Sequence, residues 1–373
     1  MIIGDLDRAL ATATGSAGTW RPAPPGTVCE VRTYVTTIAF WLARGQAGRP
    51  GAPGPAAVAA GLAARVRGLD WVEAAAVTGG GYLAATVTAD ALAGLAVRIT
   101  EAGPGCARSS ALAGTSLAAP VATDLAFAPT WEDARQRVHA TVTGRLAEAA
   151  GAHVSWQHDA ERITAPHPPA PVTAGPVMAG PAMDGPVPPA GPVAEAVAYA
   201  GAGAIIYALA RLLPRGPARV DARLAAAHHL GNPAYAVQYA HAHAASALRQ
   251  AADLGLGRGE AAEFQPGLLA HPSEQALLSK LSWLPERVAG AARRGRPDVL
   301  THCLEGLARA YFDCQETRPA VRPGMVVPDG TDRSPAGRAA VRAAAARLWL
   351  AAAARTALGA GLGLLGVGAP DRL

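Results

Sequence analysis

Lysine is all but missing from this chain: Lys280 is the only one, which leaves 32 of the 33 basic side chains as arginine. Together with 31 prolines this matches GC-rich coding, so arginine identity alone says little about selected guanidinium chemistry. No phosphate loop that needs lysine can be built away from position 280. Aromatic residues make up only 5%, although half the residues count as hydrophobic. Much of that apolar total is alanine, which suits helix surfaces as well as cores, so burial must come from Leu, Val and Ile. Cys29, Cys106, Cys303 and Cys314 form no CxxC pair, and no histidine stands at a zinc-module offset. Four reduced thiols in a cytoplasmic protein are the expectation, with no metal. The opening MIIGDLDRAL is acidic where a secretory signal would be basic, so export is not expected.

What is present permits an anionic partner without demanding one. The net charge is +5 and the pI about 9.3, a small excess for 373 residues. The stretch 193 to 213, VAEAVAYAGAGAIIYALARLL, has the length of a bilayer span. It is mostly Ala and Gly and holds Glu195 and Arg211, so a buried or amphipathic helix is the better reading, and no membrane partner is expected.

The expected fold class is mainly α, with an α+β N-terminal domain over 1–105, a connecting region with one helix over 106–165, a Pro/Gly-rich linker over 166–192 and a helix bundle over 193–373. In the first part CEVRTYVTTIAFWLA begins β-branched and turns helical. PAAVAAGLAARVRGL spaces Val58, Leu62, Val66 and Leu69 as a helix, with Pro55 near its start. Val72 to Val77 and Tyr82 to Thr88 should pair across Gly79 to Gly81. TWEDARQRVHATVTGRLAEAAG is a helix with Thr130 at its start and Glu132 and Asp133 in its first turn. HPPAPVTAGPVMAGPAMDGPVPPAGP can hold neither helix nor central strand. Beyond it, Leu277, Leu281, Leu284 and Val288, and then Leu300, Leu304, Leu307 and Tyr311, mark apolar helix faces.

Several motif-like strings have plain explanations. GLGLLG at 361 to 366 spells the dinucleotide fingerprint, yet only seven residues follow and no βαβ unit can be completed, so a helix end with Gly is expected. The glycines at 79 to 81 suit a hairpin turn. GTSLA at 114 to 118 lacks the second glycine of a nucleophile elbow.

NPAYAVQYAHAH, 232 to 243, is the exception in this alanine background. On a helix starting after Pro233, Tyr235, Gln238 and Tyr239 share one side, with Ala242 and Ser246, while Val237, His241, Ala244 and Leu248 share the other. Tyrosine rings can stack on unpaired bases and a glutamine amide can reach a base edge or phosphate. Periodicity alone favours the other reading, in which the tyrosines fill a bundle core with their hydroxyls bonded.

NPAYAVQYAHAHAASALRQA closely resembles the first helix of the DALR anticodon-binding domain of arginyl-tRNA synthetases. VAEAVAYAGAGAIIYALARLL resembles the helix leading into that domain, LLAHPSEQALLSKLSWLPERVAGAARR and LARAYFDCQ its later helices, and RLWLAAAARTALGAGLGLLGVGAPDRL its last helix and closing turn. RTYVTTIAFWLAR and the segment from Val58 to Gly103 are similar to the additional N-terminal domain of the same family, where Tyr82 keeps an aromatic and Ala84 and Ala85 replace Asn and Phe. The resemblance implies a DALR-type bundle that binds tRNA, arginine isoacceptors above all. Tyr235, Gln238 and Tyr239 would then meet the anticodon loop, Arg249 would lie near phosphate, and His243 would stand where arginine is common. Tyr82 would face the tRNA elbow, and the tail to Leu373 would lie near the anticodon. DNA is not expected.

ATP belongs to that family's activity, but the His-x-Gly-His and Lys-Met-Ser-Lys-Ser-like signatures are absent. With Val142 and Gly144 aligned, the histidine positions become Ala134 and Arg137, and 157 to 194 is too short for further βαβ units. A tRNA-binding relative without its own adenylation site is the expectation, holding tRNA for a partner enzyme or sensing its charging. The alternatives are a ligase-like or aminoacyl-tRNA-dependent enzyme with a rebuilt site, and a protein scaffold.

Overall fold

A computed structural model describes residues 2–14, 20–22, 30–46, 51–121, 124–157, 191–320 and 335–373. Cys29 and the Pro/Gly-rich stretch expected as a linker lie outside the described residues, apart from the last two positions of that stretch.

The N-terminal part opens with α1 (Ile2–Thr14), whose Ile2, Ile3, Leu6 and Leu10 recur at helical spacing and are all buried. Next come β1 (Trp20–Pro22), β2 (Thr33–Thr36), α2 (Ile38–Gly45), α3 (Pro55–Val66), β3 (Val72–Thr78), β4 (Tyr82–Val87), α4 (Ala89–Ala93) and α5 (Leu95–Ala102). The four strands form an antiparallel sheet in the order β1-β2-β4-β3. The β3–β4 hairpin closes with Thr78 opposite Tyr82, as the alternation and the glycines predict. Gly79, Gly80 and Gly81 all have positive φ, and a Cβ on Gly81 would stand 2.7 Å from Pro55, so the turn also needs the missing side chain.

The next region departs from the expectation of a single helix. β5 (Ser116–Pro120), α6 (Trp131–Ala149) and β6 (His153–Gln157) form a right-sized βαβ unit, with β5 and β6 parallel. The strands are short and only partly apolar, so the pattern of the sequence hides them. Thr130 caps α6, its Oγ1 accepting the Asp133 N–H at 3.1 Å. Gly144 lets α6 sit directly on the strands: a Cβ there would stand 2.5 Å from Ala119 and 2.9 Å from the Trp156 ring.

The remainder is helical: α7 (Pro192–Ala200), α8 (Ala202–Arg211), α9 (Ala222–Ala226), α10 (Pro233–Asp253), α11 (Pro272–Ser282), α12 (Leu284–Arg294), α13 (Asp298–Thr317) and α14 (Pro335–Leu365). The apolar stretch at 193 to 213 is not one helix: it breaks at Gly201, φ +83°, and the two halves meet at a bend of 117°. The chosen faces of α11, α12 and α13 bury as predicted, with Leu277, Leu281, Leu284, Val288, Leu300, Leu304, Leu307 and Tyr311 all at 1% exposure or less. α14 is long and apolar enough to cross a membrane, but two-thirds of its apolar window is buried among its neighbours, as for a central core helix. It ends at Gly366, φ +78°, where Val367 N–H returns to Leu362 C=O, so GLGLLG is a helix end.

One continuous core joins the sheet domain to the bundle. Their contact includes a buried polar link: the Tyr34 hydroxyl from β2 donates to Ser282 Oγ at 2.8 Å, while Ser282 donates to Ser279 C=O. The Tyr34 ring lies 5.3 Å from that of Trp283.

Candidate nucleic-acid interface

The asparagine-proline start of α10 is structural. Asn232 is buried, its Oδ1 accepts the Ala234 N–H at 3.1 Å, and its Nδ2 donates to the carbonyls of Ala225 and Ala227, both at 2.9 Å. Pro233 occupies the first helical position, where no N–H is needed. This clamp ties α10 to α9 and sets the rotation of the helix. Val237, Ala240, His241 and Ala244 turn into the core, and the tyrosine face turns outward.

On that outward face Tyr235 and Tyr239, four residues apart, stack with centroids 5.7 Å apart and planes 9° from parallel. His228, from the turn before α10, stacks on Tyr235 at 5.5 Å and 13°. Phe312 of α13 stacks on Tyr239 at 5.6 Å and 25°. The result is a four-ring ladder, His228–Tyr235–Tyr239–Phe312, with exposed positions at His228 and Tyr239. The bundle-core reading of the two tyrosines is therefore set aside: both keep a route to solvent while covering one another's faces.

His243 closes the inner end. Its ring meets Tyr239 and Phe312 edge to face, and its Nδ1 lies 2.9 Å from the Tyr311 hydroxyl. Tyr311 is fully buried and its phenol is pushed well above the usual range by desolvation, so it stays protonated. Burial likewise lowers the His243 pKa. At neutral pH His243 is thus a neutral prop for the ladder and supplies no positive charge in place of arginine.

Gln238 leaves the ladder for the chain's last residues. Its Nε2 donates to Gly368 C=O at 2.9 Å, and His241 Nδ1 donates to Pro370 C=O at 3.0 Å. Arg355 of α14 grips Asp371 with both nitrogens, at 2.9 to 3.0 Å, which holds the Asp371 carboxyl below its usual range. Arg249 is half-buried on α10 and adds a weaker pull on that carboxylate. The residues after α14 are thereby pinned along α10, and Leu373 ends exposed. Tyr82 lies apart on β4, its ring edge-on to Phe40 at 5.0 Å. Of the residues singled out from the sequence, the structure joins Tyr235, Tyr239 and His243 in one array. Gln238 and Arg249 stand with the tail, and Tyr82 stands on the sheet. Sequence reasoning missed His228 and Phe312. Phe312 follows the core residue Tyr311 and carried a faint signal as a second aromatic on that helix, whereas nothing local pairs His228 with Tyr235.

Residues 237–373 match the model of the DALR anticodon binding domain family. This segment is a DALR domain. Similar curated proteins include the arginine–tRNA ligase of Micrococcus luteus, 38% identical over 179 residues, and that of Chloroflexus aurantiacus, 38% identical over 182 residues. Each match takes in 48% of this chain, but only 30% and 28% of those ligases. The chain is thus related to arginyl-tRNA synthetases while matching under a third of their length. In three dimensions it is similar to the arginyl-tRNA synthetase of Thermus thermophilus, with a TM-score of 0.61 at 16% identity and full coverage of both chains, which establishes a shared fold. Of the ladder, Tyr239 on α10 and Phe312 on α13 lie within the matched residues, while Tyr235 and His228 precede them.

Proposed function

We propose that this protein binds tRNA through the DALR domain, with unpaired bases of the anticodon loop stacking on the His228–Tyr235–Tyr239–Phe312 ladder. The carrying observation is the ladder itself: four nearly parallel rings, open at His228 and Tyr239, form a platform to which every base has a face to offer. Arginine isoacceptors are the proposed tRNAs, on the strength of the related ligases. Arg249 and the pinned tail ending at Leu373 would flank the bound loop, Gln238 holding the tail in place. A cytoplasmic setting fits this role.

The proposed role is holding rather than aminoacylating, and the βαβ unit supports it. ATP phosphates fit poorly at the N-terminus of α6, where Glu132 and Asp133 place two carboxylates in the first turn. Arg135 is already committed to Glu132 at 2.7 Å and to the carbonyls of Leu213 and Gly216 at 2.9 Å. Arg137 pairs with Asp133 at 2.8 Å, and Ala134 is buried. A partner enzyme would then act on the tRNA held here. In a gel shift with arginine tRNA the full chain should bind, with affinity falling as salt rises. Absence of a shift at low salt would overturn the reading, and arginine-dependent ATP–pyrophosphate exchange by the protein alone would overturn its non-catalytic part.

A further inference from the structure

A groove of about 510 Å³ opens on a different part of the bundle, between α11–α12 on one side and α13 on the other, with Val31 of the sheet domain at its end. Its lining includes the small residues Ala276, Ser279 and Gly306, and a Cβ built on Gly306 would meet nothing within 4 Å. Its rim is cationic. Lys280, the chain's one lysine, is exposed there, and Arg287 lies seven residues further on, its guanidinium 5.7 Å from the centre of the Trp283 ring. Neither has a carboxylate in ion-pair range among the described residues. The one acidic side chain that lines the groove, Asp298, is neutralised by a two-pronged bond to Arg296 at 2.7 Å.

Two further groups suit an oxyanion. His302 Nδ1 donates to Asp298 C=O at 2.6 Å, which leaves Nε2 as its remaining polar atom in the groove wall. Ser279 adds a hydroxyl. Cys303 also lines the groove; burial pushes its thiol up to about 11, with Lys280 and Arg287 close enough to pull it the other way. A protonated thiol is no nucleophile, so the chemistry on offer is binding of negative charge.

We propose that the groove between α11–α12 and α13 is a phosphate-binding site, with Lys280 and Arg287 as its charged ligands and Ser279 and His302 as hydrogen-bonding partners. A compact ammonium and a forked guanidinium lining the same groove as small residues suit a group with several anionic oxygens better than a single carboxylate. The phosphate belongs either to an RNA backbone or to a small phosphorylated molecule.

Calorimetric titration of the full chain with inorganic pyrophosphate at low ionic strength tests this. Wild type should bind, each of Lys280→Ala and Arg287→Ala should weaken binding about tenfold, the worth of one charge-assisted contact, and the double variant more. Lys280→Arg should retain it, and Arg223→Ala, on exposed α9, should not alter it. Unchanged melting temperatures show that the variants are folded. Tyr239→Ala should bind pyrophosphate normally, which separates this site from the ladder. Displacement of pyrophosphate by tRNA assigns the phosphate to RNA; simultaneous binding assigns it to a small molecule. No heat with wild type, or equal affinity for wild type and the double variant, overturns the proposal.

Discussion

Replacing Tyr239 by alanine takes the third of four rings out of the ladder and separates Tyr235 from Phe312, which stack on it at 5.7 and 5.6 Å. If bases stack on this platform, the loss removes about 1–3 kcal/mol of binding, or roughly 5- to 150-fold in Kd. The same change weakens the fold by a comparable amount, because the ring also pairs with Tyr235, Phe312 and His243. Each aromatic pair contributes about 0.5–1.5 kcal/mol beyond its burial, and the ring is already 36% exposed. A stability of about 5–15 kcal/mol leaves the variant folded. Filter binding of arginine tRNA at several salt concentrations gives the discriminating readout. Tyrosine carries no charge, so the line of log affinity against log salt should shift down without changing slope, whereas loss of a phosphate contact would flatten it. Tyr239→Phe should bind like wild type, because it keeps the ring, and Tyr239→Leu should resemble alanine despite filling the space. Equal affinity of Tyr239→Ala and wild type, both folded at the assay temperature, would refute base stacking on the ladder.

Two further outcomes follow from buried groups. At the contact between sheet domain and bundle, Ser282→Ala should cost about 1–3 kcal/mol, because it strands the buried Tyr34 hydroxyl; Tyr34→Phe should cost only about 1 kcal/mol, since Ser282 still donates to Ser279 C=O. Urea unfolding of both variants checks the asymmetry, and the reverse order would show that the hydroxyl finds another partner. Burial lowers the pKa of His139, His241 and His243, so the native state resists their protonation while the unfolded chain accepts it. Their contribution is complete above about pH 6.5, the ordinary histidine value, and declines as the pH falls from there through the lowered native values. Thermal melts from pH 7.5 to 5 should show this decline, and His243→Gln should make it shallower; an unchanged slope would remove His243 from the account.

Much of the helical architecture was legible because each helix carries its own periodic signal. Leu300, Leu304, Leu307 and Tyr311 repeat every three or four residues, and burial follows that repeat. The β3–β4 hairpin was legible for the same reason, with period two and a glycine turn. The β5 and β6 strands were not: each is five residues, and their parallel pairing links positions more than thirty residues apart. Gly201 shows a different limit. Its φ of +83° breaks an apolar run that reads as one helix, and composition does not announce which glycine will take a left-handed conformation.

At the candidate site, the sequence by itself determined that α10 would start at Asn232-Pro233 and carry Tyr235 and Tyr239 on one face, since capping and a four-residue repeat are local properties of the chain. Only the tertiary structure decided what those rings would touch. His228 arrives from a turn and Phe312 from another helix, His243 loses its charge to burial beside Tyr311, and Gln238 is spent on Gly368. Each of these depends on which side of α10 the core occupies, and that is settled by the summed burial of residues far apart in the chain rather than by any stretch of it.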